Sequence, residues 1–384
     1  MTRTTKSDNH GLKYQRIVAK FGTNVLTSGT SQLDVTRMGS LVAQVAALHD
    51  RGVDVLVVTS GAIAAGRHRL EANGPRKERK DLLYRQVLAA VGQSDLMQTY
   101  QELFSRHGIT VAQTLLTKGD LKDRVGYLNA RNTLLAMMEL RVVPVINEND
   151  VVAIDEIEGA KIGDNDNLSA VVANLVDADL LALLTDIGGL YTADPRSTPT
   201  AELIRRVDKI DAGIEALAGS TQSVASVGGM TTKIQAARLA TGGGADMVIV
   251  DGKEPEVLVR VAEGAEIGTY FPATADRMES RRRWMLAGLS VKGDIVVDEG
   301  AARALRERKT SLLPAGVSDV RGTFKRGDPI AVVNGEGERI ACGIANYGAS
   351  EIAQIKGLRS DRIEGVLGHQ YGSEVVHRDN LVVL

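Results

Sequence analysis

Two lysines and a run of acids and amides are the residues of this chain best suited to chemistry. Lys20 falls late in the apolar stretch "RIVAKF" (16–21) and is followed at once by Gly22. Lys233 falls in "VGGMTTKIQAA" (227–237), just inside a helical pattern opened by Gly228 and Gly229. Between them, "KIGDNDNLSA" (161–170) sets Asp164, Asn165, Asp166 and Asn167 in consecutive positions, and "VVPVINEND" (142–150) ends a hydrophobic run on polar residues up to Asp150. Lysine is rarely buried without a partner, and a cation at the start of a helix opposes the helix dipole. Both lysines therefore point to an anion held nearby. Residue types alone leave other readings open: an edge-strand lysine reaching solvent, a solvated helix lysine, and Asp or Asn serving as turn and cap residues.

Two glycine turns add to this. "VTSGAIAAG" (58–66) ends a strand in Ser60-Gly61 ahead of a small-residue helix start, which lets backbone N–H groups approach an anion; tight packing explains the same pattern. "LLTDIGGLYTADPR" (183–196) ends a buried run in Thr185-Asp186, a pair that could cap the strand or hold a ribose hydroxyl or adenine edge. GxxxxGK[ST] and GxGxxG are both absent, so neither a P-loop nor a dinucleotide fingerprint is present. Cys342 is the only cysteine and the six histidines are scattered, which excludes an intrachain disulfide, a Cys-rich zinc site and an HExxH pair.

The elements that must position these residues alternate. Strand-like "RIVAKF", "VDVLVV" (53–58), "ITVAQTLLT" (109–117), "VVPVI" (142–146), "LLALLT" (180–185) and "ADMVIV" (245–250) are separated by helical patterns. One helix spans 34–52 with Asp34 as N-cap, two are expected over "DLLYRQVLAAVGQ" and "DLMQTYQELFSRHG", and others lie near 127–140, 167–177 and 231–241. Such alternation predicts an α/β fold with a mostly parallel sheet covered on both faces, in which ligands bind at the carboxyl ends of the strands. The pattern changes at "ESRRRWMLAGLSVKGD" (279–294), and short strands with Gly-rich turns follow. A length of 384 residues also favours two domains.

Composition is ordinary, with 43% hydrophobic and 24% charged residues. Formal charge is −2, from 46 basic and 48 acidic residues, and aromatics are 3%, which argues against a chain-wide basic stacking surface for nucleic acid. Arg281, Arg282 and Arg283, and the stretch "TFKRGD", read as solvated charge. No window approaches the ~20 apolar residues of a membrane helix. "MTRTTKSDNHGLKYQ" lacks the apolar core of a signal peptide, and a cytoplasmic location is expected.

"VAKFGTNVLT", "VTSGAIAAG", "VVPVINENDVV", "KIGDNDNLSA", "LLTDIGGLYTADPR" and "GGMTTKIQAA" occur in the order and spacing of the glutamate 5-kinases of the amino acid kinase family. The chain resembles that family over nearly its whole length, because "SLLPAGVSDVRGTF" and "EVVHRDN" extend the likeness through a C-terminal part similar to the PUA domain. The resemblance implies an αβα sandwich around a mainly parallel sheet, the amino acid kinase fold, over 16–278. It further implies a flexible N-terminus over 1–15, a linker over 279–291, a PUA-like domain over 292–370, and a tail over 371–384 packed on that domain.

The implied activity is transfer of the γ-phosphoryl group of ATP, with Mg²⁺, to the side-chain carboxylate of L-glutamate, the first step of proline biosynthesis. By resemblance, Lys20 and Lys233 flank the transferring group, Asp166 orients them, and Asp164 supports Asp166. Ser60, Asp150 and Asn165 match glutamate-binding positions, while Lys20, Thr185, Asp186 and the run Val227, Gly228, Gly229, Met230, Thr231, Thr232, Lys233 match nucleotide-binding ones. The family pattern has threonine where this chain has Val227, which removes one hydroxyl. No protein ligands for the metal are expected, since Mg²⁺ would be held by phosphate and water. The resemblance also implies inhibition by proline, channelling to glutamyl phosphate reductase, and a homo-oligomer, dimer or tetramer, away from membranes. Two other readings stand beside it: an acetylglutamate or carbamate kinase of the same family, and an RNA-binding protein acting through the PUA-like domain.

Overall fold

The computed structural model describes residues 11–72, 81–122, 124–153, 165–220, 229–275, 291–308 and 310–384. The chain divides into two compact units, one of residues 1–122 with 129–277 and one of 123–128 with 278–384.

The first unit is built on a seven-stranded sheet. Its strands are β1 (Arg16–Phe21), β2 (Asp54–Thr59), β3 (Val111–Leu116), β4 (Val143–Glu148), β5 (Leu180–Thr185), β6 (Asp246–Asp251) and β7 (Thr269–Phe271). Their order is β3-β4-β2-β1-β5-β6-β7, and every pair is parallel except β6–β7. All six residues of β5 are buried. A strand covered by helices on both faces needs apolar residues at every position, not at alternate ones. Strand order reverses between β1 and β5, which makes their carboxyl ends the expected ligand crevice.

Ten helices are described in this unit's run of chain, several of them short. They are α1 (Thr23–Leu26), α2 (Val35–Asp50), α3 (Ala62–Glu71), α4 (Leu82–Ser105), α5 (Lys118–Lys122), α6 (Arg124–Glu139), α7 (Asn165–Leu175), α8 (Ala212–Ser220), α9 (Met230–Gly243) and α10 (Val257–Ala262). Asp34 caps α2 as its position predicts, accepting from Arg37 N, and Met38, Leu41, Val42 and Val45 form the buried stripe.

Where the sequence predicts two helices over 81–108, there is one of 24 residues, α4. Gly92, near the end of the first expected helix, serves close packing. A Cβ there would lie 1.9 Å from Ala62 O and 2.2 Å from Gly66 N of α3. Of the lead expected to be flexible over 1–15, residues 1–10 lie outside the described residues, while residues 14 and 15 are held by the fold. Tyr14 is buried, and Gln15 N and Arg16 N both donate to Asp179 Oδ2 at 2.7 Å.

The second unit has its own sheet, β8 (Gly293–Val297), β9 (Val317–Gly322), β10 (Pro329–Val333), β11 (Arg339–Ile344) and β12 (Leu381–Val383), ordered β12-β11-β10-β8-β9. Only β8–β10 is parallel. Helices α11 (Glu299–Arg308), α12 (Ala349–Ile355) and α13 (Ile363–Leu367) accompany it. A separate core gathers Ile295, Val297, Ile330, Val332, Tyr347 and Ile352. Through β12 the last residues of the chain become an edge strand. Of the expected linker, 279–291, residues 279–290 lie outside the described residues.

Candidate active site

Lys20 sits near the carboxyl end of β1, a central strand, and is 7% exposed; an edge-strand lysine reaching solvent is therefore ruled out. Asp166 lies in the first turn of α7 and Lys233 in the first turns of α9, 2% and 8% exposed. Residues distant in sequence meet here. Lys20 Nζ is 2.7 Å from Asp166 Oδ1 and Lys233 Nζ donates to Asp166 Oδ2 at 3.1 Å. Thr232 Oγ1 donates to the same oxygen at 3.0 Å.

Burial alone would raise the Asp166 carboxyl's pKa, but the charges of Lys20 and Lys233 and their hydrogen bonds outweigh it and hold it well below the usual carboxylate range. Two ammonium groups converge on one carboxylate in a nearly dry site, where an anionic ligand would meet positive charge already fixed in place.

The next residue back, Asn165, joins this cluster to a cavity of about 560 Å³. The cavity brings together Ser60, Asp150 and Asn165 from three separate segments, with Asn147, Arg67 and Arg85 and the start of α3. Gly61 takes φ +102°, a left-handed turn that glycine tolerates, and it leads directly into α3. Asn165 Nδ2 donates to Ser60 Oγ at 3.1 Å and to Asn147 Oδ1 at 3.2 Å, and Asn147 Nδ2 donates to Gln93 Oε1 at 2.8 Å. Asn165 Oδ1 is buried and accepts no hydrogen bond among the described residues, a position that costs roughly 1–3 kcal/mol unless a donor arrives.

On the other side of β1, Thr185 ends β5 and Asp186 follows it. The Thr185 hydroxyl is turned inward, donating to Ile187 O at 2.9 Å and accepting from Ile187 N at 3.0 Å. Asp186 Oδ2 accepts from Asn24 Nδ2 at 3.0 Å and pairs with Arg196 Nη2 at 3.2 Å. Gly229, Met230, Thr231 and Thr232 open α9 beside Lys233. Asp164, Val227 and Gly228 lie outside the described residues.

Sequence reading passed over Gln93, Arg67, Arg85 and Asn24. Asn147, 2% exposed, stands in the polar end of "VVPVINEND" that the sequence had already marked. The two arginines sit in helices where a charge is unremarkable.

With this geometry in view, comparison with known proteins is informative. The model of the amino acid kinase family matches residues 15–251, and that of the PUA domain matches 293–367. A glutamate 5-kinase of Dehalococcoides mccartyi (strain CBDB1) is 53% identical over 371 residues, covering 97% of this chain and 99% of that one. One from Herpetosiphon aurantiacus is 52% identical over 369 residues, 96% and 98% of the two chains. One from Shewanella oneidensis is 48% identical over 373 residues, 97% and 99%. The chain belongs to the amino acid kinase family, with a PUA domain following its kinase domain.

Proposed function

We propose that Lys20, Asp166 and Lys233 carry the phosphoryl transfer of a glutamate 5-kinase, in which ATP and L-glutamate give L-glutamyl 5-phosphate and ADP. The observation that carries this reading is the buried cluster of two ammonium groups on one carboxylate at the carboxyl edge of the sheet. An oxygen of the glutamate side chain bonds to the γ-phosphorus as the bond to the ADP oxygen breaks. No general base is needed, because that carboxylate, with pKa ~4.3, is already ionised at neutral pH. Charge builds on the oxygens around phosphorus, and cations already fixed in a dry site stabilise it without reorganising. Asp166 keeps the two ammonium groups apart and aimed, and Asp164 supports it.

Ser60, Asp150 and Asn165 take the amino acid. Their shared cavity supports this, as does the buried Asn165 Oδ1, which suits an ammonium donor. Thr185, Asp186 and the run from Val227 to Lys233 take the nucleotide. Mg²⁺ would be held by the ATP phosphates and water. Similarity to the glutamate 5-kinases supports inhibition by proline, channelling to glutamyl phosphate reductase, a dimer or tetramer, and a cytoplasmic location. No helix among the described residues is long and apolar enough to cross a membrane.

A substrate panel with Mg-ATP and hydroxylamine as acyl-phosphate trap tests the reaction. Glutamate should give a hydroxamate and ADP in equal amounts, and acetylglutamate and carbamate should not. Turnover of either with glutamate inert would overturn the assignment.

A further inference from the structure

A chain of three amides leads from α4 to the substrate cavity, and its polarity is fixed. Gln93 Oε1 accepts from Asn147 Nδ2 at 2.8 Å, and Asn147 Oδ1 accepts from Asn165 Nδ2 at 3.2 Å. A second donor meets the same Asn147 oxygen, Glu148 N at 2.9 Å. A backbone N–H can only donate, so this contact identifies which end of the Asn147 amide is oxygen. Its nitrogen therefore faces Gln93, which must present its own oxygen in return. The Asn165 nitrogen is taken up by Asn147 and Ser60. That leaves Asn165 Oδ1 as the end of the chain, buried and without a donor among the described residues.

Asn147 and Asn165 are among the described residues that line the cavity, and Gln93 stands behind them. Its place is tied to the cavity wall all the same. The neighbouring Gly92 packs so closely on Ala62 and Gly66 that a Cβ would lie 1.9 Å from Ala62 O, and Ala62 itself lines the cavity. Gln93 Nε2 is buried and meets no acceptor among the described residues. An unpaired buried donor is unfavourable, yet the side chain keeps its oxygen on Asn147.

We propose that Gln93 is a positioning residue: by accepting from Asn147 Nδ2 it keeps Asn165 Oδ1 open for the amino group of the amino-acid substrate. The proposal rests on the assignment of Ser60, Asp150 and Asn165 to that substrate. Without an acceptor on residue 93, Asn147 Nδ2 is buried unpaired, a state that costs more than a lost hydrogen bond. Turning that nitrogen to Asn165 Oδ1 relieves it, and so consumes the oxygen that the substrate needs.

Hydroxamate assays of the full chain with glutamate, and with glutarate, which lacks the amino group, test this in wild type, Gln93→Met and Gln93→Glu. Methionine keeps the length but offers only a weak acceptor, whereas glutamate at this position still turns an oxygen to Asn147. Gln93→Met should raise KM for glutamate at least about 5-fold, with kcat changed less than KM, and its preference for glutamate over glutarate should fall by a similar factor. Gln93→Glu should keep that preference close to wild type. A merely structural role orders the two variants the other way, because a buried carboxylate is tolerated less well than a thioether. Each preference is a ratio within one enzyme, so a smaller folded fraction cancels. An unchanged preference in Gln93→Met, or an equal loss in Gln93→Glu, would overturn the role of Gln93. A wild type that prefers glutamate no more than glutarate would overturn the amino-acid assignment itself, and this proposal with it.

Discussion

Asp166 serves two lysines, and that double duty gives it a stability role beside the catalytic one proposed for it. Its carboxyl is held far below the usual range in the folded chain, whereas an unfolded aspartate titrates at ~3.9. A depressed folded value contributes stability that is fully present above the unfolded pKa and lost as pH falls toward the folded one. Thermal unfolding followed from pH 7 downward should therefore show a loss below about pH 4. That part of the loss should be missing in Asp166→Asn. The same variant should be less stable at pH 7 by about 3–5 kcal/mol, because it removes a negative charge that two buried ammonium groups share. An unchanged melting temperature at pH 7 would contradict the buried cluster.

Asp150 carries the second residue-level test. It lines the cavity with Ser60 and Asn165, and a charge-assisted hydrogen bond to the substrate ammonium is worth roughly 1.5–3 kcal/mol. Asp150→Asn should weaken glutamate by about 10- to 150-fold on that basis and leave ATP nearly unaffected. Glutarate, which lacks the amino group, should be discriminated against strongly by wild type and much less by the variant. Equal discrimination by both enzymes would remove Asp150 from the ammonium.

Helices α3 and α4 show how an element fixes a pocket. A Cβ on Gly66 would lie 1.9 Å from Leu88 O, so Gly66→Ala must push the two helices apart. Overpacking of this kind costs about 1–3 kcal/mol or more. Since the start of α3 lines the cavity, the variant should both melt earlier and show a raised KM for glutamate. An unchanged KM would mean that α3 does not shape the substrate site.

The elements also show what sequence could and could not reveal. The strands were legible because β1, β2, β5 and β6 are apolar along their length and sharply bounded. Lys20 stood out for the same reason, as a charge in a strand that would bury it. The single helix α4 was not legible, since the packing of Gly92 against Ala62 and Gly66 of α3 is a tertiary contact with no local signal. The lysine-aspartate cluster came from resemblance, because nothing in the spacing of Lys20, Asp166 and Lys233 says that they meet.

At the scale of the whole molecule, the described candidate residues all belong to the first unit, and the second has a core of its own. A chain cut after Arg277 should fold and keep measurable glutamate-dependent ADP release, checked by circular dichroism and the hydroxamate assay. An insoluble product, or a folded but inactive one, would contradict that independence. The central claim remains that two buried cations stabilise the transferring phosphoryl group. Steady-state kinetics of Lys233→Ala tests it most directly. A cation acting in the transition state should cost about 10²- to 10³-fold in kcat when removed, with KM for glutamate changed only a few-fold. A kcat near wild type, with the loss confined to KM, would contradict the account.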